Sequence, residues 1–241
     1  MHQADARTEA TAGAEPADDT GTEDTLELRL TEELLAVLGD GPTRDQMRQD
    51  PSALVGDPAA WRPAPTGAGL FQLVPVEPER DLGVLTRWMN DPAVAAFWEL
   101  AGSESVTADH LRRQLDGDGR SVPCLGVLDG RPMSYWEIYR ADLDPLARHY
   151  PARPHDTGVH LLVGGVANRG RGIGTVLLRA VCDLVLDNRP LCARVVAEPD
   201  LRNTPSVAAF LGAGFRLSAE VELPGKRAAL MIRERAHRAQ L

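Results

Sequence analysis

Lysine is almost missing from this chain: 241 residues hold one, Lys226, against 25 arginines. No basic tract of the kind that grips nucleic acid is present, so no nucleic-acid partner is expected. The arginine excess reads as a codon-composition effect rather than as phosphate chemistry. Cysteine is scarce as well. Cys124, Cys182 and Cys192 are odd in number and lack metal-ligand spacing. That predicts buried cytoplasmic thiols, with neither a disulfide framework nor a metal site. No apolar run approaches the roughly 20 residues that cross a bilayer. Residues 1–19 also lack the basic and apolar regions of a signal peptide. The expectation is a cytoplasmic protein without a membrane partner.

Apolar residues make up 43% of the sequence, enough for a substantial core. The net charge of −9 is unevenly spread. Residues 1–60 carry 14 acidic and 4 basic side chains, whereas residues 61–241 carry 21 and 22. The acidity belongs to the leader, and the body is nearly neutral. Residues 1–24, without large apolar side chains, read as a disordered acidic leader. Residues 25–66 read as an extension packed on the body, with a strand at 25–31 and a short helix at 32–38. Leu54, Val55 and Trp61 are its docking candidates. The body is expected over 67–241.

Within the body, alternation and breakers predict a strand at 70–76, a helix at 78–89 and a second helix capped near Thr107. Residues 124–128 and 132–139 flank Asp129-Gly130, a strong hairpin signal. A long polar loop follows at 140–157. Then come a strand at 159–163, a long helix, a buried strand at 193–197 and a short helix at 206–211. Strands at 217–223 and 228–233 close the chain around Pro224-Gly225. The pattern is α/β (α+β): a mixed, mostly antiparallel sheet flanked by helices.

One stretch carries chemistry in its own right. The strand ends in Gly164-Gly165, and Arg169-Gly-Arg-Gly-Ile-Gly174 opens a helix with Ile173, Val176, Leu177, Ala180 and Val181 along one face. A glycine turn at a helix N-terminus offers unpaired N–H groups at the positive end of the dipole, a site suited to phosphate.

The Arg169, Gly172 and Gly174 pattern, followed by Asn203, Ser206 and Gly214-Phe215, resembles the GNAT acyltransferases. Trp88-Met-Asn, Phe97-Trp98, Tyr135-Trp-Glu-Ile-Tyr139, Gly158-Val-His160, Glu198-Pro-Asp200 and Pro224-Gly-Lys226 sharpen this. Together they look like the siderophore-biosynthesis subfamily of aerobactin-, desferrioxamine- and mycobactin-type pathways. The resemblance covers about residues 70–235. It implies transfer of an acyl group from acetyl-CoA or another acyl-CoA, without a metal. The acceptor would be a small-molecule amine or hydroxylamine such as N-hydroxylated lysine, ornithine or cadaverine, and the product a hydroxamate. A siderophore synthetase or hydroxylase would be a pathway partner.

The resemblance also distributes roles. Leu161, Leu162 and Val163 would bind the pantetheine arm through their backbone. Arg169, Gly170, Arg171, Gly172, Ile173 and Gly174 would hold the pyrophosphate, and Asn203 and Phe210 would stand beside the cofactor. His160 is the candidate general base or substrate-orienting group, with Asp200 placed across from it. Trp136, Glu137 and Tyr139 would line the acceptor site, Glu137 either meeting an amine or standing as an exposed strand carboxylate. Lys226 would meet a substrate carboxylate or only the hairpin backbone. Phe210 stands where many GNAT enzymes have an acid tyrosine, and it has no proton to give. The rival readings are an aminoglycoside 6′-N-acetyltransferase and a non-catalytic acyl-CoA-binding module.

Overall fold

The computed structural model describes residues 54–240; the strand and helix expected within 25–38 lie outside the described residues. Eight strands form one sheet in the order β1-β2-β3-β4-β5-β6-β8-β7. They are Ala64–Thr66, Gly69–Pro75, Ser121–Leu128, Arg131–Arg140, Thr157–Val163, Arg194–Ala197, Arg216–Leu223 and Lys226–Glu234, numbered in chain order. Every neighbouring pair is antiparallel except β5 and β6. Five helices flank the sheet: α1 Pro78–Met89, α2 Pro92–Trp98, α3 Glu104–Leu115, α4 Ile173–Asn188 and α5 Thr204–Gly212.

Strand alternation decides which helices cover which face. Trp136, Ile138 and Val159 point to the side of α4, where Leu177, Val181, Leu184 and Val185 complete the larger core. Tyr135 and Leu162 point to the other side and pack with Leu85, Met89, Val94 and Leu111 of α1, α2 and α3. Val55 and Trp61 are buried in the larger core. The sheet therefore begins ahead of the expected body boundary at residue 67, with β1 already paired to β2.

Several elements differ from expectation. Of the capping candidates, Thr107 or a polar neighbour, Thr107 lies inside α3, fully buried, and the polar Ser103 holds the N-cap position. Residues 92–98 form their own helix because the Asp91 side chain accepts the Ala93 N–H and Pro92 opens the first turn. The expected polar loop at 140–157 contains two 3-10 turns, Ala141–Leu143 and Pro145–Arg148, and buries Leu146 and Tyr150. Asp156 anchors its end on the buried Arg194 of β6, whose Nε lies 2.9 Å from Asp156 Oδ1.

The parting of β5 from β6 prepares the site. Their parallel ladder holds at Thr157↔Val195 and Gly158↔Val196 only, and beyond it the strands diverge. The edge of β5 at 159–163 is thereby turned towards α5 instead of a strand. No helix among the described residues is long and apolar enough to cross a membrane.

Candidate active site

A cleft of about 620 Å³ opens where the strands part. Leu161, Leu162 and Val163 form one wall, α2 and α5 contribute others, and the turn before α4 closes one end. Gly172 is the N-cap of α4 with φ 76°, a left-handed conformation that favours glycine, and no side chain caps the helix. The first amides of α4 are left for a ligand. Gly170, Gly172, Ile173, Gly174 and Asn203 all line the cleft.

Arg169 is positioned by its own bonds. Its Nε donates to the Val163 carbonyl at 2.9 Å, and Nη1 lies 2.9 Å from Asp91 Oδ1 at the start of α2. Its Nη2 is buried with no hydrogen-bond partner among the described residues. An orphaned guanidinium N–H beside uncapped helix amides fits an anionic group such as the pyrophosphate of coenzyme A. Arg171 is exposed and does not line the cleft.

In the pocket that adjoins the cleft along Leu161 and Asn203, three charged side chains share one face of the sheet. Glu137 of β4 is the register partner of His160 of β5. Glu198 follows β6, two residues after Val196 and on the same side. His160 Nδ1 lies 2.8 Å from Glu137 Oε2, and Nε2 lies 2.5 Å from Glu198 Oε1. The arrangement is braced from behind. His110 Nε2 and Gln114 Nε2 of α3 sit 2.5 and 2.7 Å from Glu137 Oε1, and the Tyr135 hydroxyl donates to the same oxygen at 3.0 Å. The Tyr139 hydroxyl donates to Glu198 Oε2 at 2.8 Å, its ring centroid 4.8 Å from that of His160. Gly158 makes this possible: a Cβ there would stand 2.0 Å from the Tyr139 ring.

The charges follow from this geometry. Burial works against an imidazolium at His160, but the Glu198 charge and the hydrogen bonds that the ring donates to both carboxylates outweigh it and raise its pKa. Burial likewise opposes ionisation of Glu137 and Glu198. The hydrogen bonds to His110 and His160 hold the Glu137 carboxyl well below its ordinary range, and the His160 charge lowers Glu198. His160 is thus held as a cation with both ring nitrogens donating, and it has no lone pair with which to act as a resting base.

This fold, splayed strands and glycine turn match a known family. Residues 77–223 match the acetyltransferase (GNAT) domain. The chain belongs to the GNAT acetyltransferase family. Among curated relatives, the N(6)-hydroxylysine O-acetyltransferase of Escherichia coli is 40% identical over 67% of this chain and 51% of that protein. The chain thus spans about half the length of that relative. The lysine N-acyltransferase MbtK of Mycobacterium tuberculosis is 33% identical over 79% of this chain and 85% of that one. Among solved structures, an uncharacterized protein of Bacillus halodurans superposes with a TM-score of 0.71 at 32% identity, covering 76% of this chain and 95% of that one.

Within this GNAT domain the expected acceptor residues fare differently. Trp136 is fully buried on the α4 face, opposite His160, with its indole N–H on Ser134 Oγ at 2.8 Å. Strand alternation removes it from any acceptor site. Glu137 is buried rather than exposed, and its oxygens bond to His160, His110, Gln114 and Tyr135. Asp200 lines the pocket beside His160, but its carboxylate is taken by Arg202, whose backbone N donates at 2.7 Å and Nη2 at 2.6 Å. The carboxylate that meets His160 belongs to Glu198. Lys226 Nζ donates to the Glu198 backbone carbonyl at 2.7 Å and so steadies that residue. Phe210 is buried, edge-on to Phe215 at 4.9 Å.

Glu198, His110 and Gln114 escaped the reading of the residues. Glu198 had a signal: it continues the alternation Arg194, Val196, Glu198 out of a buried strand. His110 and Gln114 stand at i and i+4 on α3, but nothing local says which strand that helix covers.

Proposed function

We propose that this chain transfers an acyl group from an acyl-CoA to an N-hydroxylated side-chain amine, giving a hydroxamate for siderophore assembly. The supporting observation is the placement of His160 and its two carboxylates where the acyl-CoA cleft meets a second, polar cavity. The names of the relatives, acting on hydroxylysine or lysine, favour an amino-acid-derived acceptor over an aminoglycoside.

The donor is held by this chain's backbone at 161–163, the amides of 172–174 and the Arg169 guanidinium, with the thioester directed towards His160. A hydroxylamine is weakly basic and neutral at pH 7, so its nitrogen attacks without prior deprotonation and positioning dominates. The N–C bond forms as the C–S bond breaks. One proton leaves the nitrogen, for which Glu198 is the receiving carboxylate, and one is needed by the departing thiolate. Phe210 has none to give. Once Glu198 holds the proton from the nitrogen, its bond to His160 weakens, and the Nε2–H turns to the thiolate and is transferred. Glu198 then reprotonates Nε2 and returns the pair to its starting charge. Asp200 serves through Arg202 by shaping the pocket wall.

Release of coenzyme A thiol should be followed with N-hydroxylysine, N-hydroxyornithine, N-hydroxycadaverine and kanamycin, using acetyl-, succinyl- and longer acyl-CoA. Products are then treated with ferric iron. Thiol release with a hydroxylamine and a coloured ferric hydroxamate is the expected result. Turnover confined to kanamycin, or thiol release that yields no iron-binding product, overturns the proposal.

A further inference from the structure

His160 and Glu137 also border a separate cavity of about 540 Å³ on the side away from the cleft. Two walls meet there. One is the inner face of α3, where His110, Arg113 and Gln114 fall at i, i+3 and i+4 and so point the same way. The other is the segment after β4, carrying Asp144. Arg120 ties the walls together, gripping Asp118 through Nε at 2.9 Å and donating through Nη1 to the Leu143 carbonyl at 3.2 Å.

Two opposite charges in this cavity are left uncommitted. Asp144 Oδ1 accepts the Leu146 N–H at 2.9 Å, while Oδ2 receives no hydrogen bond among the described residues. Burial raises the pKa of this carboxyl against the opposing charges of His160 and Arg120, neither of which bonds to it. Arg113 is exposed and makes no hydrogen bond or ion pair among the described residues, although its neighbour Arg112 is held by Asp109 at 2.5 Å. A cavity with one spare carboxylate and one spare guanidinium suits a zwitterion.

We propose that this cavity takes the head group of a free α-amino acid, its ammonium on Asp144 and its carboxylate on Arg113, with the side chain running past Glu137 to His160. This inference rests on the acyl-transfer reading and narrows its acceptor. A diamine such as N-hydroxycadaverine has no carboxylate for Arg113, and neither has a polycationic aminoglycoside.

The full chain, saturated with acetyl-CoA, should be assayed with N6-hydroxylysine and N-hydroxycadaverine. The amino acid should be preferred in kcat/KM by about 30-fold or more. Asp144→Asn keeps the oxygen that accepts from Leu146 and so preserves the turn. Asp144→Asn and Arg113→Gln should each narrow the preference about tenfold through the acceptor KM, with the acetyl-CoA KM moving less than about twofold. Equal use of the two acceptors by the wild type, or a preference untouched in both variants, overturns the inference while leaving acyl transfer standing. Absence of turnover with every hydroxylamine overturns the acyl-transfer reading itself and this inference with it.

Discussion

His160 and Glu198 face each other across the gap where β5 and β6 separate, Nε2 to Oε1 2.5 Å, although they stand 38 positions apart in sequence. The contact exists because the ladder ends at Gly158↔Val196, leaving His160 and Glu198 on the same side of two strands that are close without being bonded. Tyr139 and Lys226 hold Glu198 from either side, so the carboxylate has little freedom to turn away.

Glu198→Gln should lower kcat by about 100-fold or more, the usual yield of a positioned proton-transfer group. Acyl-CoA KM should change little, since Glu198 lines the inner pocket rather than the cofactor cleft. Asp200→Asn should be milder in kcat, because Arg202 already occupies that carboxylate. Steady-state kinetics on both variants checks the order; a larger loss in Asp200→Asn would return the role to Asp200.

The His160 charge links stability to pH. Its folded pKa, raised to about 10, lies above the ordinary 6.5. The stabilisation it contributes is therefore full below pH 6.5 and is lost as pH climbs towards 10. Glu137 and Glu198 are shifted the other way, below the ordinary 4.5, so their contribution is present above that pH and is lost in acid. Urea midpoints of wild type and His160→Gln should differ most between pH 5 and 6.5 and converge by about pH 10. A gap that widens with rising pH would contradict the imidazolium.

Arg169→Gln should raise the acyl-CoA KM about tenfold, reflecting a lost charge-assisted contact. Calorimetric titration with coenzyme A and with its dephospho and pantetheine fragments would localise the loss. Fragments lacking the pyrophosphate should bind both proteins alike.

Trp61 joins the larger core although it stands ahead of the expected body boundary. Trp61→Ala should cost about 3 kcal/mol or more, the usual range for emptying a buried aromatic site. Denaturant unfolding measures it. A surface-like loss of under about 0.5 kcal/mol would show that this segment only rests on the domain.

Removing residues 1–24 should leave kcat/KM unchanged if that stretch is a solubilising leader, as its composition suggests. Thiol-release kinetics on the shortened chain decides this, and a tenfold loss would give the leader a part in the site.

Local sequence by itself determined the elements and the phosphate turn. The apolar strands at 159–163 and 193–197, the glycines around Arg169 and the apolar face of α4 depend on residues within a turn or two, and their physics is complete at that range. Strand alternation sets Trp136 on the face opposite Tyr135, so the residue expected at the acceptor site packs against α4 instead. Tertiary structure alone decided how the charges pair. Which carboxylate reaches His160 depends on the Glu137↔His160 register, on the length of the β5–β6 ladder and on α3 delivering His110 over β4. Each joins groups 23 to 38 residues apart. Asp200 and Glu198 are equally acidic and sit two residues apart in one turn. Only the fold gives one of them to Arg202 and the other to His160.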